Sequence, residues 1–407
     1  MNERKQFWTL RYTLINVSYF AAFCTVHAYA AVYLLDRGFT NTRIGILLAV
    51  ANIASALLQP VVASVIDRGG FFTNRNVIMI CAAAIAAGSG LLLLMHDNRV
   101  AIFVIYALIY MIQFTYMPVM TALNFEYRLK GVDIFYGLAR GLGSAGFAVT
   151  SAIIGKVVEA EGVRVLLYCN IAIMLVQIVV VWFFRIPERS SAEDEDREDP
   201  GDAPADTKDN GRGRTIVQFV RAYPAFMVML AATVFLFFTH NMLNDYLIQI
   251  IRPLGGSESN LGIATFIAAL LELPTMAFIS AASKKISMRF MLVLAGISFT
   301  VKAVIMMLAV NIPMVYASQA MQMLAYAVFI PASAYYVSTN ISAHDQVKGQ
   351  AFVTSCFTLA GVFSSLICGV ILDHLGEKAM LVCGSMVSII GTALIIISMK
   401  MSPEEGK

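Results

Sequence analysis

Twelve long apolar stretches fall six and six around one charged segment, Ile186 to Arg214. That segment carries ten acids against five bases and almost no large apolar side chain. It cannot bury enough surface to offset its ordering entropy, so it reads as a solvated linker. On either side the chain is oily: 59% hydrophobic and 14% charged overall, with a mean hydropathy of +0.74. A hydrocarbon core about 30 Å thick needs roughly 20 apolar residues per helix, and each stretch supplies that. No water reaches the hydrocarbon to satisfy stray backbone groups, so the stretches must be helices. The expectation is an all-α membrane protein with twelve transmembrane helices.

The spans are expected over about 11–35, 43–66, 76–95, 101–124, 134–157, 163–184, 222–251, 260–282, 289–309, 312–339, 351–373 and 378–399. The first runs too long for a cleaved signal peptide and carries Arg11 at its start. An even count puts both termini on one side, and Lys and Arg decide which. Termini inside assigns twenty of the 29 bases to cytoplasmic segments, including Arg68, Arg75 and Arg128, and seven to the outside. The other two, Arg140 and Lys302, lie within spans. Both termini and the linker are therefore expected in the cytoplasm, with the bundle in a bacterial inner membrane. All six cysteines fall inside spans, where they serve as soft packing residues, so neither a disulfide nor a metal site is expected.

The two halves repeat one another. A shift of 217 residues aligns Tyr29 with Tyr246, Gly38 with Gly255, and Gly45-Ile46 with Gly262-Ile263. A shift of 214 aligns Gly155 with Gly369, Glu159 with Asp373, and Gly162 with Gly376. Parallel six-helix repeats of this kind place a solute site between the halves near the midplane. The domain reading is an N-terminal half over 1–185, a charged cytoplasmic linker over 186–221 and a C-terminal half over 222–407.

Few residues inside the spans can carry chemistry. Gly141 to Gly146 reads GLGSAG, a literal dinucleotide fingerprint, but no strand precedes it and it sits inside an apolar span. Small residues that let helices approach closely explain it better. Arg140 is different, because a guanidinium at membrane depth faces a partner or an aqueous cavity. Ser144 and Phe147 follow it on the same helical face. Asn241 and Asp245 make a polar stripe on the seventh span, beside His240 and Asn244. The alternative for Asp245 is to neutralise a base such as Lys302. Glu272 stands two residues before Pro274, which would bend the eighth span. Lys302 lies in the ninth span and is either functional or a lysine snorkelling to the interface. His27, on the first span, is a further candidate for contact with a solute. Asn52, Gln59, Gln113, Asn124, Gln319 and Gln322 could line a cavity or bond between helices.

The loop Ala63 to Arg75 contains Asp67-Arg68-Gly69-Gly70 followed by Arg75. This resembles the Asp-Arg-x-Gly element of the major facilitator superfamily, with Ala63 where that family usually has glycine. The resemblance implies that Asp67 and Arg68 gate the cytoplasmic side. The pattern Arg140-x-x-Gly143-Ser144-x-Gly146-Phe147-Ala148 resembles the fifth helix of the lactose permease family of oligosaccharide-proton symporters. There the arginine binds a substrate hydroxyl and the aromatic stacks on the sugar, which makes Arg140, Ser144 and Phe147 substrate-binding candidates. Lys302 matches an arginine tied to proton coupling, and the Glu272-x-Pro274 pattern resembles the wider branch that includes nucleoside-proton transporters. Departures matter as well: Tyr326 and Phe329 stand where the permease family has proton-coupling residues, and Phe357 replaces a lysine. Lactose is therefore not expected, and proton duty would fall to Glu272 and Asp245.

The expected fold is the major facilitator bundle, two pseudo-symmetric six-helix halves around a central cavity. No ATP site, cofactor, enzyme activity or nucleic-acid partner is expected. The expected function is proton-coupled import of a small polar solute of sugar, nucleoside or aromatic-acid type, by a monomer in the lipid bilayer. The rival is a proton-coupled drug or metabolite exporter, which Met-rich, aromatic helices would also serve.

Overall fold

The computed structural model describes residues 3–95, 98–185, 215–282 and 286–402, with the side chains of 3–4, 276–277 and 279–282 left aside. The expected linker core, Ile186 to Arg214, and two of the bases counted as cytoplasmic, Lys284 and Lys285, lie outside the described residues. Among the described residues there is no strand.

Among those residues nine helices are long and apolar enough to cross a membrane, and a bent pair makes ten. That pair is the first span, where Glu3–Phe23 passes through a wide π turn at Cys24–Ala28 and then bends 46° into Ala30–Asp36. Asn41–Asp67, Asn74–Leu94, Arg99–Leu129, Tyr136–Glu161 and Val165–Phe183 complete the first half. The second half comprises Pro224–Asp245 with Leu247–Ile251, then Glu258–Ala282, Met288–Met307 and Ile312–Asn340. It ends in Gln346–Met401, one run of hydrogen bonds but two spans, because Gly376 breaks it at φ 82° and ψ 178°. Counted this way the described residues make twelve spans, six in each half. Most ends fall within a few residues of expectation. The first helix starts earlier, at Glu3, because its polar first turns dock: Trp8 packs edge-on against Phe184 at 5.5 Å, and Lys5 pairs with Asp133.

The aligned glycines share geometry. Gly38 and Gly255 both take positive φ, 72° and 77°, in the turns after the first and seventh spans. Gly162 and Gly376 do the same at 83° and 82° after the fifth and eleventh. Large side chains such as Leu57, Leu94, Val179 and Phe183 point outward at the bundle surface. In water they would be a liability, and against lipid tails they cost nothing.

Four of the spans that line the central cavity are broken. The first breaks at Tyr29, the fourth at Tyr116, the seventh at Tyr246, and the tenth through a tight turn at Met321–Met323. Non-helical backbone at membrane depth is tolerated only where protein or a cavity receives its polar groups. The second and eleventh spans cross, as do the fifth and eighth, and these crossings join the halves. Backbones touch there: a Cβ added to Gly45 would run into the Ser365 carbonyl oxygen. The two aligned tyrosines sit beside these crossings, the Tyr29 hydroxyl at Gly155 and Gly262 and the Tyr246 hydroxyl at Gly45 and Gly369, each bonded within its own half. Tyr29 donates to the Ser151 carbonyl at 2.9 Å, and Tyr246 to the Ser365 carbonyl at 2.6 Å.

Candidate functional site

A cavity of about 540 Å³ lies between the halves, walled by both. On the N-terminal side Arg140, Ser144 and Phe147 all line it, as their shared helical face requires. Arg140 Nη1 donates to Ser144 Oγ at 2.9 Å, and the guanidinium carbon sits 4.1 Å from the centre of the Phe20 ring. Gly143, inside the fingerprint-like run, packs against Phe20 and Asn16 of the first helix, so close approach explains it. His27 lines the cavity inside an aromatic box. It stacks on Phe23 with ring centres 3.9 Å apart and planes 8° apart, and Tyr110 lies 3.8 Å away. Neither ring nitrogen of His27 has a hydrogen-bond partner among the described residues.

On the C-terminal side Asn241, Asp245 and Glu272 line the cavity. Asp245 Oδ2 accepts from Ser365 Oγ at 3.2 Å. It is not paired with Lys302, whose ammonium is engaged elsewhere. Lys302 is fully buried, so it does not snorkel; its Nζ donates to Gln322 Oε1 at 2.6 Å. Gln322 Nε2 in turn donates to Glu272 Oε1 at 2.8 Å. One amide thus bridges a cation behind the wall and a carboxylate on it.

The uncharged candidates divide. Asn52, Gln59, Gln319 and Gln322 line the cavity, whereas Gln113 and Asn124 are buried inside the N-terminal half. Three more residues line the cavity: His240 and Asn244, named in the sequence only as neighbours of Asp245, and Phe20, which carried no signal. His240 stacks on Tyr326 at 5.0 Å and 15°, and Asn244 Nδ2 lies 3.1 Å from its Nε2. Phe20 receives the guanidinium. The 217-residue shift does place His240 on Phe23 and Asn244 on His27, so the repeat could have flagged both. Phe357, where a lysine stood in the resemblance, stacks on Phe237 at 4.2 Å and lines the cavity, while Phe329 is buried in the core.

The ends of the bundle differ. Asp373 Oδ1 accepts from the backbone N–H of Asn41 at 3.0 Å and from its Nδ2 at 2.9 Å, and Oδ2 accepts from the Thr42 N–H at 2.7 Å. Gln249 Nε2 donates to Asn41 Oδ1 at 2.9 Å. A carboxylate of one half therefore caps the second helix of the other, at the end remote from the termini. Its repeat mate Glu159 makes no side-chain hydrogen bond among the described residues. At the terminus-bearing end Asp67 and Arg68 are exposed, and neither has a side-chain partner among the described residues. Arg75 turns away from that loop and donates from Nε to the Val181 carbonyl at 3.1 Å, at the end of the sixth span.

Residues 8–383 match the MFS_1 like family. An uncharacterized transporter, YwbF of Bacillus subtilis (strain 168), is 22% identical over 370 residues, covering 90% of this chain and 86% of that one. Among solved structures, a mutant of the nucleoside transporter NupG superposes with a TM-score of 0.74 at 11% identity, covering 97% of this chain and 98% of that one. A bacterial homolog of the human lysosomal transporter Spinster, inward-facing and unoccupied, superposes with a TM-score of 0.72 at 13% identity, covering 98% of each.

Proposed function

The chain belongs to the MFS_1 like family of membrane transporters, and from that premise we propose that it is a proton-coupled symporter importing a small polar solute of sugar, nucleoside or aromatic-acid type. The observation that carries this reading is the Lys302–Gln322–Glu272 bridge in the cavity wall. Its amide accepts from the Lys302 nitrogen on one side and donates to the Glu272 carboxyl on the other. A proton on Glu272 weakens the acceptor that holds Gln322, so protonation and wall geometry are linked. Solute enters against the opposite wall, where Arg140 offers a planar fork of donors beside Ser144 and Phe147. Asp245 and Asn241 meet it from the seventh helix and His27 from the first. The solved nucleoside transporter that shares the fold supports keeping nucleosides among the candidate solutes.

In this scheme Asp67 and Arg68 close the cytoplasmic side when the cavity opens outward, with both termini in the cytoplasm of a bacterial cell. The protein works as a monomer. Sealed vesicles loaded with a pH dye test the proposal. Adding sugars, nucleosides or organic acids in turn should acidify the lumen for the transported class. Alkalinisation on solute addition would point to exchange and export, and no pH change with any class would sink proton coupling.

A further inference from the structure

Two glutamines three residues apart on the tenth span have opposite fates. Gln322 has both ends of its amide engaged, one by Lys302 and the other by Glu272. Gln319 has neither end engaged. Its Oε1 and Nε2 are both buried without a hydrogen-bond partner among the described residues, the residue is 1% exposed, and it lines the central cavity. A buried amide without partners is costly, and native interiors avoid it. The adjacent polar groups do not relieve it: Gln322 is already committed, and Ser318 Oγ donates to the Lys302 carbonyl at 2.7 Å. The partners of Gln319 must therefore come from what occupies the cavity.

A primary amide offers one acceptor and one donor side by side in a plane. Its best complement is an edge that presents a donor next to an acceptor in the same plane. The Nε2 and Oε1 of a glutamine pair in this way with the edge of a nucleobase. The surroundings suit a flat ring, with Tyr326 beyond the break in the same span, His240 stacked on it, and Phe237 and Phe357 also lining the cavity. A sugar ring presents hydroxyls that rotate freely and does not need a planar counterpart.

We propose that Gln319 is a specificity residue that reads the donor–acceptor edge of a nucleobase, so that among the candidate solutes the protein selects a nucleoside or free base. This rests on the transport reading above and deepens it. The test is equilibrium binding to the purified full-length protein. The ligands are uridine, adenosine, ribose and lactose, together with 3-methyluridine and N6,N6-dimethyladenosine, whose edges are blocked. At least one parent nucleoside should bind, its methylated counterpart should bind at least tenfold more weakly, and ribose and lactose should not bind. Gln319→Leu should weaken the parent about tenfold and erase its advantage over the methylated form. The ligand-side comparison uses unaltered protein, so misfolding of the variant cannot mimic the result. Failure of both parents to bind, equal binding of parent and methylated forms, or an unchanged preference in Gln319→Leu would overturn the proposal. Binding and proton-linked uptake of lactose or ribose would overturn it while leaving the symport reading intact.

Discussion

Lys302 and Glu272 do not touch: the Gln322 amide stands between them, 2.6 Å from the Lys302 nitrogen and 2.8 Å from a Glu272 carboxyl oxygen. A direct buried ion pair would hold both charges in fixed geometry and resist separation. An amide bridge is directional yet releases more readily, since each contact is a single hydrogen bond. Burial gives the arrangement consequence, because Lys302 has no exposure to water and its side-chain ammonium has that one partner among the described residues.

Glu272→Gln mimics the protonated carboxyl. The variant should still exchange solute across the membrane at near-normal rates but fail to accumulate it against a gradient. Counterflow and active uptake in the same vesicles separate the two. Full accumulation by this variant would remove Glu272 from proton duty, and a normal result with Asp245→Asn would return that residue to a structural role.

Gln322→Leu keeps the volume of the bridge but strands the Lys302 ammonium in the interior. Breaking a buried charged network of this kind costs about 3–5 kcal/mol. The melting temperature of the purified protein should fall by several degrees. Adding Lys302→Met should restore most of the loss, because the stranded charge is then gone. No loss in the single variant would mean that water reaches the ammonium.

The sequence made some of this legible and hid the rest, for physical reasons. Arg140, Ser144 and Phe147 could be placed together because i, i+4 and i+7 share a helical face. The repeat aligned Gly38 with Gly255 and Tyr29 with Tyr246, and each pair shares its geometry, since turns and close approaches demand particular residue types. What stayed hidden depends on packing between distant segments. Nothing in the order of residues says that Phe20 receives the Arg140 guanidinium, or that Gln322 rather than Gln113 meets a charge. That Lys302 is joined to Glu272 through Gln322, instead of neutralising Asp245, depends on the path of the tenth span, which carries Gln322 between Lys302 and Glu272. Asp373 was aligned with Glu159 by the repeat, yet only one of them caps a helix in the other half.

Arg140 offers a test of geometry rather than charge. Arg140→Lys keeps the positive charge but loses the fork that bonds Ser144 and the flat face that lies on Phe20. Uptake should drop at least tenfold while the protein still reaches the membrane. Near-normal uptake would show that a point charge suffices there.

Asp373 and Asp67 should pull the conformational balance in opposite directions. With the termini taken as cytoplasmic, Asp373 holds the outer end closed through three hydrogen bonds to Asn41 and Thr42. Asp373→Asn removes the charge and replaces one acceptor oxygen with a donor. The site is open to water, which discounts each lost contact towards about 1 kcal/mol. The ratio of outward-open to inward-open protein should therefore rise by the order of tenfold. Asp67 has no side-chain partner among the described residues in the present state, so Asp67→Asn should leave this state undisturbed and weaken only the outward-open one, in which the loop closes. A single cysteine placed on the cavity wall and labelled from outside with an impermeant reagent reports both effects. Labelling should accelerate in Asp373→Asn and slow in Asp67→Asn, and the double variant should lie between them. Equal rates in Asp373→Asn and the parent would reduce the Asp373 cap to a surface contact, and unchanged labelling in Asp67→Asn would leave that residue a turn former.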